Sequence, residues 1–301
     1  MQEGTGPTLT SWCMDLSRRQ VLVGGASAVF LAACGSSTHS TSSSSTSAGT
    51  AGPRQLFNAF DAEQPVGKAL RLPVGLANAD GSFSSDLPAS IAVQLKKPDG
   101  TLGSPTTIAR HQDGLPRGYY PVLTTFDVTG RWTIDAVVDG KHATTTVDVK
   151  PANEVANVPG AGDPLPKIPT PTTADHHGVN PICTREPACP FHTVSLDQLI
   201  GGTKPIALLV STPAFCQVAI CGPVLDLMIG RKAKLDAAGV QVIHAEVYVD
   251  TNAKVTSPTV NALGLDYEPA LFLAKGDGTI VERLDSIFDR VELDAAVAKL
   301  S

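Results

Sequence analysis

Apolar and polar residues follow two different rhythms along the chain. Between residues 54 and 150 the apolar positions come in short runs rich in β-branched residues, at 69–77, 90–96, 106–110, 119–128, 132–138 and 143–149. Turn signals separate several of these runs: Ala79-Asp80-Gly81, Pro98-Asp99-Gly100, Thr129-Gly130 and Asp139-Gly140. Glycine there supplies a backbone shape that other residues resist, and Asp bonds to its own backbone. Trp132, Ile134 and Ala136 alternate with Thr133, Asp135 and Val137, the pattern of a strand with one buried face. Short strands at this spacing predict a small all-β sandwich. Trp132 is expected in its core, and His111 and His142 are expected to be isolated and exposed. No catalytic constellation stands out in this half.

From Cys183 onward strands and helices alternate. Ile206-Ala207-Leu208-Leu209-Val210, inside 205–211, reads as a strand buried on both faces. A helix is predicted over 223–238, with Pro223 in its first turn, Val224, Leu225, Met228 and Leu235 on one face, and Gly239 at its end. A second strand follows at 240–249. Ser257-Pro258 opens a short helix that Gly264 closes. Runs at 270–274 and 279–284 form a hairpin around Gly276-Asp277-Gly278, and Asp289 with Glu292 predicts a capping box for a last helix. Between the halves, residues 151–171 hold six prolines and few apolar residues, which predicts a semi-rigid spacer.

The first 53 residues belong to neither pattern. The run 21–33 is uncharged and too short to span a bilayer, which takes about 20 residues. Arg18 and Arg19 precede it, and it ends Leu31-Ala32-Ala33-Cys34. This ending resembles the lipobox of bacterial lipoproteins, which implies a signal peptide over 1–33 and a lipid on Cys34. Ser17-Arg18-Arg19-Gln20-Val21-Leu22 resembles the twin-arginine export signal, which carries folded proteins, with general secretion as the alternative. The Ser/Thr-rich stretch after Cys34 predicts a tether over 34–53. The expected location is the extracytoplasmic face of a cell membrane, held by the lipid anchor.

The net charge is −6 and no basic run is present, which speaks against nucleic acid as a partner. Removing the leader, which carries Cys13, and the acylated Cys34 leaves Cys183, Cys189, Cys216 and Cys221. In an oxidising compartment these predict two disulfides, or one disulfide and one redox pair. A local Cys183–Cys189 disulfide is the simplest reading of the first two. With His176, His177 and His192 nearby, zinc or copper is the alternative. The spacing matches no metal motif, so neither metal nor cofactor is expected.

Three features of the C-terminal half resemble the thioredoxin-like superfamily. Cys216-Gln217-Val218-Ala219-Ile220-Cys221 lies at a strand-to-helix junction, Glu268-Pro269 stands where that family places its cis-proline, and Gly276-Asp277-Gly278-Thr279-Ile280-Val281 resembles its terminal hairpin. Thr129-Gly130-Arg131-Trp132-Thr133-Ile134 resembles a late strand of bacterial immunoglobulin-like domains. The expected architecture is therefore two domains: an N-terminal all-β immunoglobulin-like sandwich over 54–150 and, after a linker over 151–179, a C-terminal α/β thioredoxin-like fold over 180–301. The proline-rich stretch implies that the two fold separately.

The resemblance implies thiol–disulfide exchange with envelope proteins that carry thiols or disulfides. Cys216 would attack, Cys221 would resolve, and Phe215, Glu268 and Pro269 would contact the substrate. Four residues separate the cysteines where the family has two, which is expected to move one sulfur away from the helix end. Glu268 is expected to oppose thiolate formation. The cysteine pair also resembles the copper chaperones of cytochrome oxidase, for which only His244 lies downstream as a ligand. Peroxiredoxins fit less well, because Pro213 stands where they carry Thr. A non-catalytic binding lipoprotein with structural disulfides is the third reading.

Overall fold

The computed structural model describes residues 54–300; the leader, Cys34 and the tether lie outside the described residues. Residues 54–150 form a two-sheet β-sandwich. Its strands are β1 (Gln55–Asn58), β2 (Glu63–Pro65), β3 (Ala69–Ala77), β4 (Ser90–Lys96), β5 (Thr106–Ala109), β6 (Tyr120–Thr125), β7 (Gly130–Val138) and β8 (Lys141–Lys150). One sheet has the order β1-β3-β6, the other β2-β8-β7-β4-β5. The period of two in β7 is realised: Trp132, Ile134, Ala136 and Val138 are buried while Arg131 and Val137 face water. Trp132 lies 4.9 Å from the Phe126 ring and donates its indole N–H to the Val128 carbonyl at 3.0 Å, so it is core. Neither β1 nor β2 was marked by its sequence. They form because neighbours offer free edges, β2 pairing in parallel with β8 and β1 antiparallel with β3.

The C-terminal half continues with α1 (Leu196–Leu199), β9 (Ile206–Val210), α2 (Cys221–Gly230), α3 (Lys232–Ala237), β10 (Gln241–Ala245), α4 (Pro258–Leu263), β11 (Ala270–Ala274), β12 (Ile280–Asp285) and α5 (Arg290–Val297). Its sheet has the order β10-β9-β11-β12, with β10 parallel to β9 and the other pairs antiparallel. Every residue of β9 and β11 is buried, and alternation divides them between two cores. Ala207, Leu209, Leu271 and Leu273 meet Val224, Met228 and Leu235 of α2 and α3 and Leu293 of α5. Ile206, Leu208, Val210, Ala270 and Phe272 meet Leu196, Val260 and Leu263 on the other face. The result is a helix–sheet–helix sandwich.

Three expectations are corrected. The single helix over 223–238 is two, because the chain breaks at Gly230-Arg231, where the Arg231 N–H is shared between the Leu227 and Met228 carbonyls at 3.1 Å each. Glycine is a poor helix residue, and nothing in the apolar pattern compensates there. The strand expected over 240–249 ends at Ala245. The proline-rich stretch is no free spacer. Leu165 is buried, its N–H bonds to the Gly278 carbonyl at 2.8 Å, and Asp163 and Gly162 pair with Ile280. The two halves are also in contact: Leu115 and Tyr119 of the sandwich join the core under α2 and α5.

That docking reuses the predicted capping box. Asp289 does cap α5, its carboxylate accepting the Glu292 N–H at 3.0 Å. It also accepts the N–H groups of Gln112 and Asp113 and lies 3.1 Å from His111 Nδ1, so His111 is neither isolated nor fully exposed. His142 is exposed as expected, beside Asp135. Glu292 does not return to the cap. It takes two hydrogen bonds from Arg71 and one from the Tyr119 hydroxyl, while that hydroxyl accepts the Asp289 N–H at 2.8 Å.

Candidate functional site

Cys216 lies in the loop that follows β9, six residues past Val210, and Cys221 is the first residue of α2. The four intervening residues do not carry the Cys216 sulfur away from the helix end, contrary to expectation. The Ala219 N–H bonds back to the Cys216 carbonyl at 3.1 Å, and Ala219 takes the left-handed conformation with φ of 52°. That reversal returns the chain, so the Cys221 N–H donates to Cys216 Sγ at 3.4 Å. Cys216 therefore sits off the start of a helix, where unpaired N–H groups and the dipole favour negative charge. Both cysteines are free thiols.

The two thiols are electrostatically unlike. The hydrogen bond from the Cys221 thiol lowers the Cys216 pKa to about 6, with backbone N–H groups of Cys221, Ile220 and Val218 adding to it against the effect of burial. Cys221 is fully buried, and burial first, then the Cys216 charge, pushes it well above its ordinary value. Glu268 completes the cluster: one ligand-type atom from each of Cys216, Cys221 and Glu268 lies within 4.8 Å of the others. Burial and then the Cys216 charge raise its carboxyl to about 7. The expected opposition of Glu268 to the thiolate is outweighed, because hydrogen bonds act at contact distance and Glu268 gives up much of its own charge. The Glu268–Pro269 peptide bond is cis. Phe215 is half-buried, edge-on to Tyr248 at 6.2 Å, and Val218 is exposed beside it.

A second cluster was not expected in this form. Cys183 and Cys189, read from sequence as a disulfide, are two free thiols. Their sulfurs converge with His192 and His244, all four residues being buried. The reason is register: Ala245 pairs with Val210 and His244 with Leu209, which turns the His244 side chain to the same sheet face as α2. The loop carrying Cys183, Cys189 and His192 runs along the open edge of β10, where the His244 N–H bonds to the Phe191 carbonyl at 3.1 Å. The two thiols are shifted in opposite directions. The hydrogen bond from Cys189 holds Cys183 far below its ordinary range, and the same bond with burial drives Cys189 up. His176 and His177, the other candidates, lie outside the cluster: His176 is exposed and His177 faces Asp175. Sequence order hid His244 as the fourth member, since it sits 52 residues from His192 inside a strand.

No family model and no curated protein matches the chain. Among solved structures, the Lin-41 filamin domain is similar at 18% identity over 32% of this chain and 91% of its own, with a TM-score of 0.22. A Salmonella alpha-2-macroglobulin mutant is similar at 20% identity over 40% of this chain but 8% of its own length, with a TM-score of 0.25. A CARDB domain from Pyrococcus furiosus, in complex with di-metal ions, is similar at 18% identity over 32% of this chain and 85% of its own, with a TM-score of 0.21. At these TM-scores the likenesses carry no argument about function, which rests on the side chains.

Proposed function

We propose that this chain exchanges thiols and disulfides with extracytoplasmic proteins, on a thioredoxin-like domain tethered to a membrane through a lipid on Cys34. The observation that carries the reading is the asymmetry of the cysteine pair: Cys216 is partly exposed with a pKa near 6, and Cys221 is fully buried with its thiol kept protonated. A nucleophile must be a thiolate and reachable, whereas a resolving thiol must wait. The sheet order β10-β9-β11-β12, a cysteine pair between β9 and α2, and Pro269 at the entry to β11 support the thioredoxin-like reading. The sandwich, read as immunoglobulin-like, would brace that domain through Arg71, Tyr119 and Glu292.

In the exchange, Cys216 thiolate attacks one sulfur of a partner disulfide, forming a mixed disulfide and releasing the other partner sulfur as thiolate. The Cys221 thiol passes its proton to the Glu268 carboxylate and attacks Cys216 Sγ. The partner leaves as a dithiol, reduced by two electrons, and Cys216–Cys221 leaves oxidised by two. The reverse sequence oxidises a partner dithiol. A carboxyl with a pKa of about 7 is suited to accept and return that proton near neutrality.

The copper-chaperone reading loses support because His244, its downstream ligand, is engaged with Cys183 and Cys189 and not with this pair. Cys221→Ser should accumulate mixed disulfides with envelope proteins, and Cys216→Ser should not. If neither variant traps a partner and the pair resists reduction below about −300 mV, as structural disulfides do, the non-catalytic binding protein is the better account.

A further inference from the structure

We propose that Cys183, Cys189, His192 and His244 form a closed, four-ligand zinc site that fastens the 183–192 loop to the edge of the sheet. It is separate from the exchange pair, and its validity does not depend on the exchange reading.

The distances among the four donors carry the inference. Cys183 Sγ lies 3.8 Å from His244 Nδ1, Cys189 Sγ lies 3.5 Å from the same atom and 3.2 Å from His192 Nε2, and the two ring nitrogens are 3.3 Å apart. Tetrahedral zinc with Zn–S of about 2.3 Å and Zn–N of about 2.05 Å has S···N edges of about 3.5 Å and an N···N edge of about 3.3 Å. The three sulfur–nitrogen distances straddle the first value and the nitrogen pair matches the second. All donor atoms lie within 4.8 Å of one another and all four residues are buried.

An outer partner orients one of the two histidines, while His192 Nδ1 is buried without a partner among the described residues. His244 Nε2 lies 3.1 Å from the Ser211 carbonyl oxygen, which can only accept, and 2.9 Å from the Ser211 hydroxyl, which can accept as well as donate, so a proton on Nε2 serves both contacts. The Nδ1 lone pair is then free, and it is Nδ1 that faces both sulfurs and His192. A histidine whose far nitrogen donates to a carbonyl is oriented in the manner of metal-bound histidines. Charge also balances: two thiolates and two neutral imidazoles around a divalent ion give a neutral buried centre, where an unpaired buried charge would be costly. Zinc enters without redox change, and the two thiol protons pass to solvent. Tetrahedral S2N2 donors suit zinc, and with four protein ligands the site has no open position, which makes it structural.

A Cys183–Cys189 disulfide accounts for less. It would draw the sulfurs to about 2.05 Å and leave the two buried imidazole nitrogens, 3.3 Å apart, paired only with each other. The loop is otherwise stitched at its other end. The Thr184 N–H and hydroxyl both bond to Glu246, and the Ala214 N–H, two residues before Cys216, bonds to the Thr184 hydroxyl at 3.1 Å. A metal at 183–192 would therefore also steady the segment leading to Cys216. Export of an already folded chain, which the twin-arginine-like leader implies, would seal the ligands before they meet an oxidant.

The test is elemental analysis and thiol counting on the purified full-length protein. The expected result is about one zinc per chain, Cys216 alone of the four thiols reactive in the native state, Cys221 released by denaturant, and Cys183 and Cys189 released only by denaturant with a chelator. Cobalt(II) in place of zinc should give tetrahedral d–d bands and thiolate-to-cobalt charge transfer. Cys189→Ser and His192→Ala should each lower zinc content at least tenfold. Should those variants fail to fold, the wild-type zinc content and cobalt spectrum decide alone. A folded wild type that takes up no zinc from zinc sulfate, or a peptide map with Cys183 bonded to Cys189, overturns the proposal. Stoichiometric copper(I) in place of zinc overturns it too.

Discussion

The Cys216 thiol should titrate near pH 6, and its advantage over an ordinary thiol should be greatest in acid. The perturbation is pH itself, read as the rate with which the reduced protein attacks a small disulfide probe. With a pKa of about 6 against an ordinary value of 9.0, Cys216 carries about 90 times more thiolate at pH 7. A thiolate of lower pKa is a weaker nucleophile, and a Brønsted slope of roughly 0.4–0.5 over about three pH units costs roughly 20-fold in intrinsic rate. The net advantage is thus only about fourfold at pH 7, and it grows to about 40-fold at pH 5, where the thiolate ratio approaches 1,000. Measured from pH 4 to 10 on the Cys221→Ser background, the rate would confuse loss of the Cys221 hydrogen bond with the intrinsic value. The wild type is therefore the reference, with the first-order labelling site identified by peptide mass. A midpoint near pH 9, or first labelling at Cys221, would refute the claim that the Ala219 turn and the helix start hold Cys216 as a thiolate.

Four further outcomes are expected. Glu268→Gln should slow resolution, so that mixed disulfides on Cys216 persist longer in a quench assay; unchanged lifetimes would remove Glu268 from the proton path. The same carboxyl has a raised pKa, about 7 against 4.5, so the native state binds the extra proton between those values and loses stability as pH rises through that window. Glu268→Gln should abolish this loss, which urea melts at pH 4.5 and 8 would register. Arg71→Met leaves Glu292 buried without its guanidinium and should cost about 3–5 kcal/mol in such melts, with most of it recovered when Glu292→Leu is added. At the other end of the chain, intact mass should find the membrane form beginning at an acylated Cys34, and Cys34→Ala should shift it to the soluble fraction; an unmodified, soluble wild type would refute the anchor.

What short-range pattern can encode was legible in the sequence. The alternation of Trp132, Ile134 and Ala136 named the buried face of β7, the apolar run at 206–210 named a strand covered on both sides, and Asp289 marked the start of α5. The cysteine pair was visible as a strand-to-helix junction, and Glu268 and Pro269 as its neighbours. These signals are local, because burial period and caps depend on residues within one or two turns or pleats. The consequences of convergence were not legible. Glu292 was read as half of a capping box, yet it is spent on Arg71, more than two hundred residues away. The four-residue spacing argued for a sulfur displaced from the helix end, but a left-handed Ala219 closes the loop, a conformation that an alanine does not announce. The sharpest case is the Cys183, Cys189, His192 and His244 cluster. Its spacing matches no motif, because the fourth member comes from β10 and is aimed by that strand's register on β9. A shift of one residue would turn His244 to the opposite face, so that cluster exists only once the sheet has chosen its pairing.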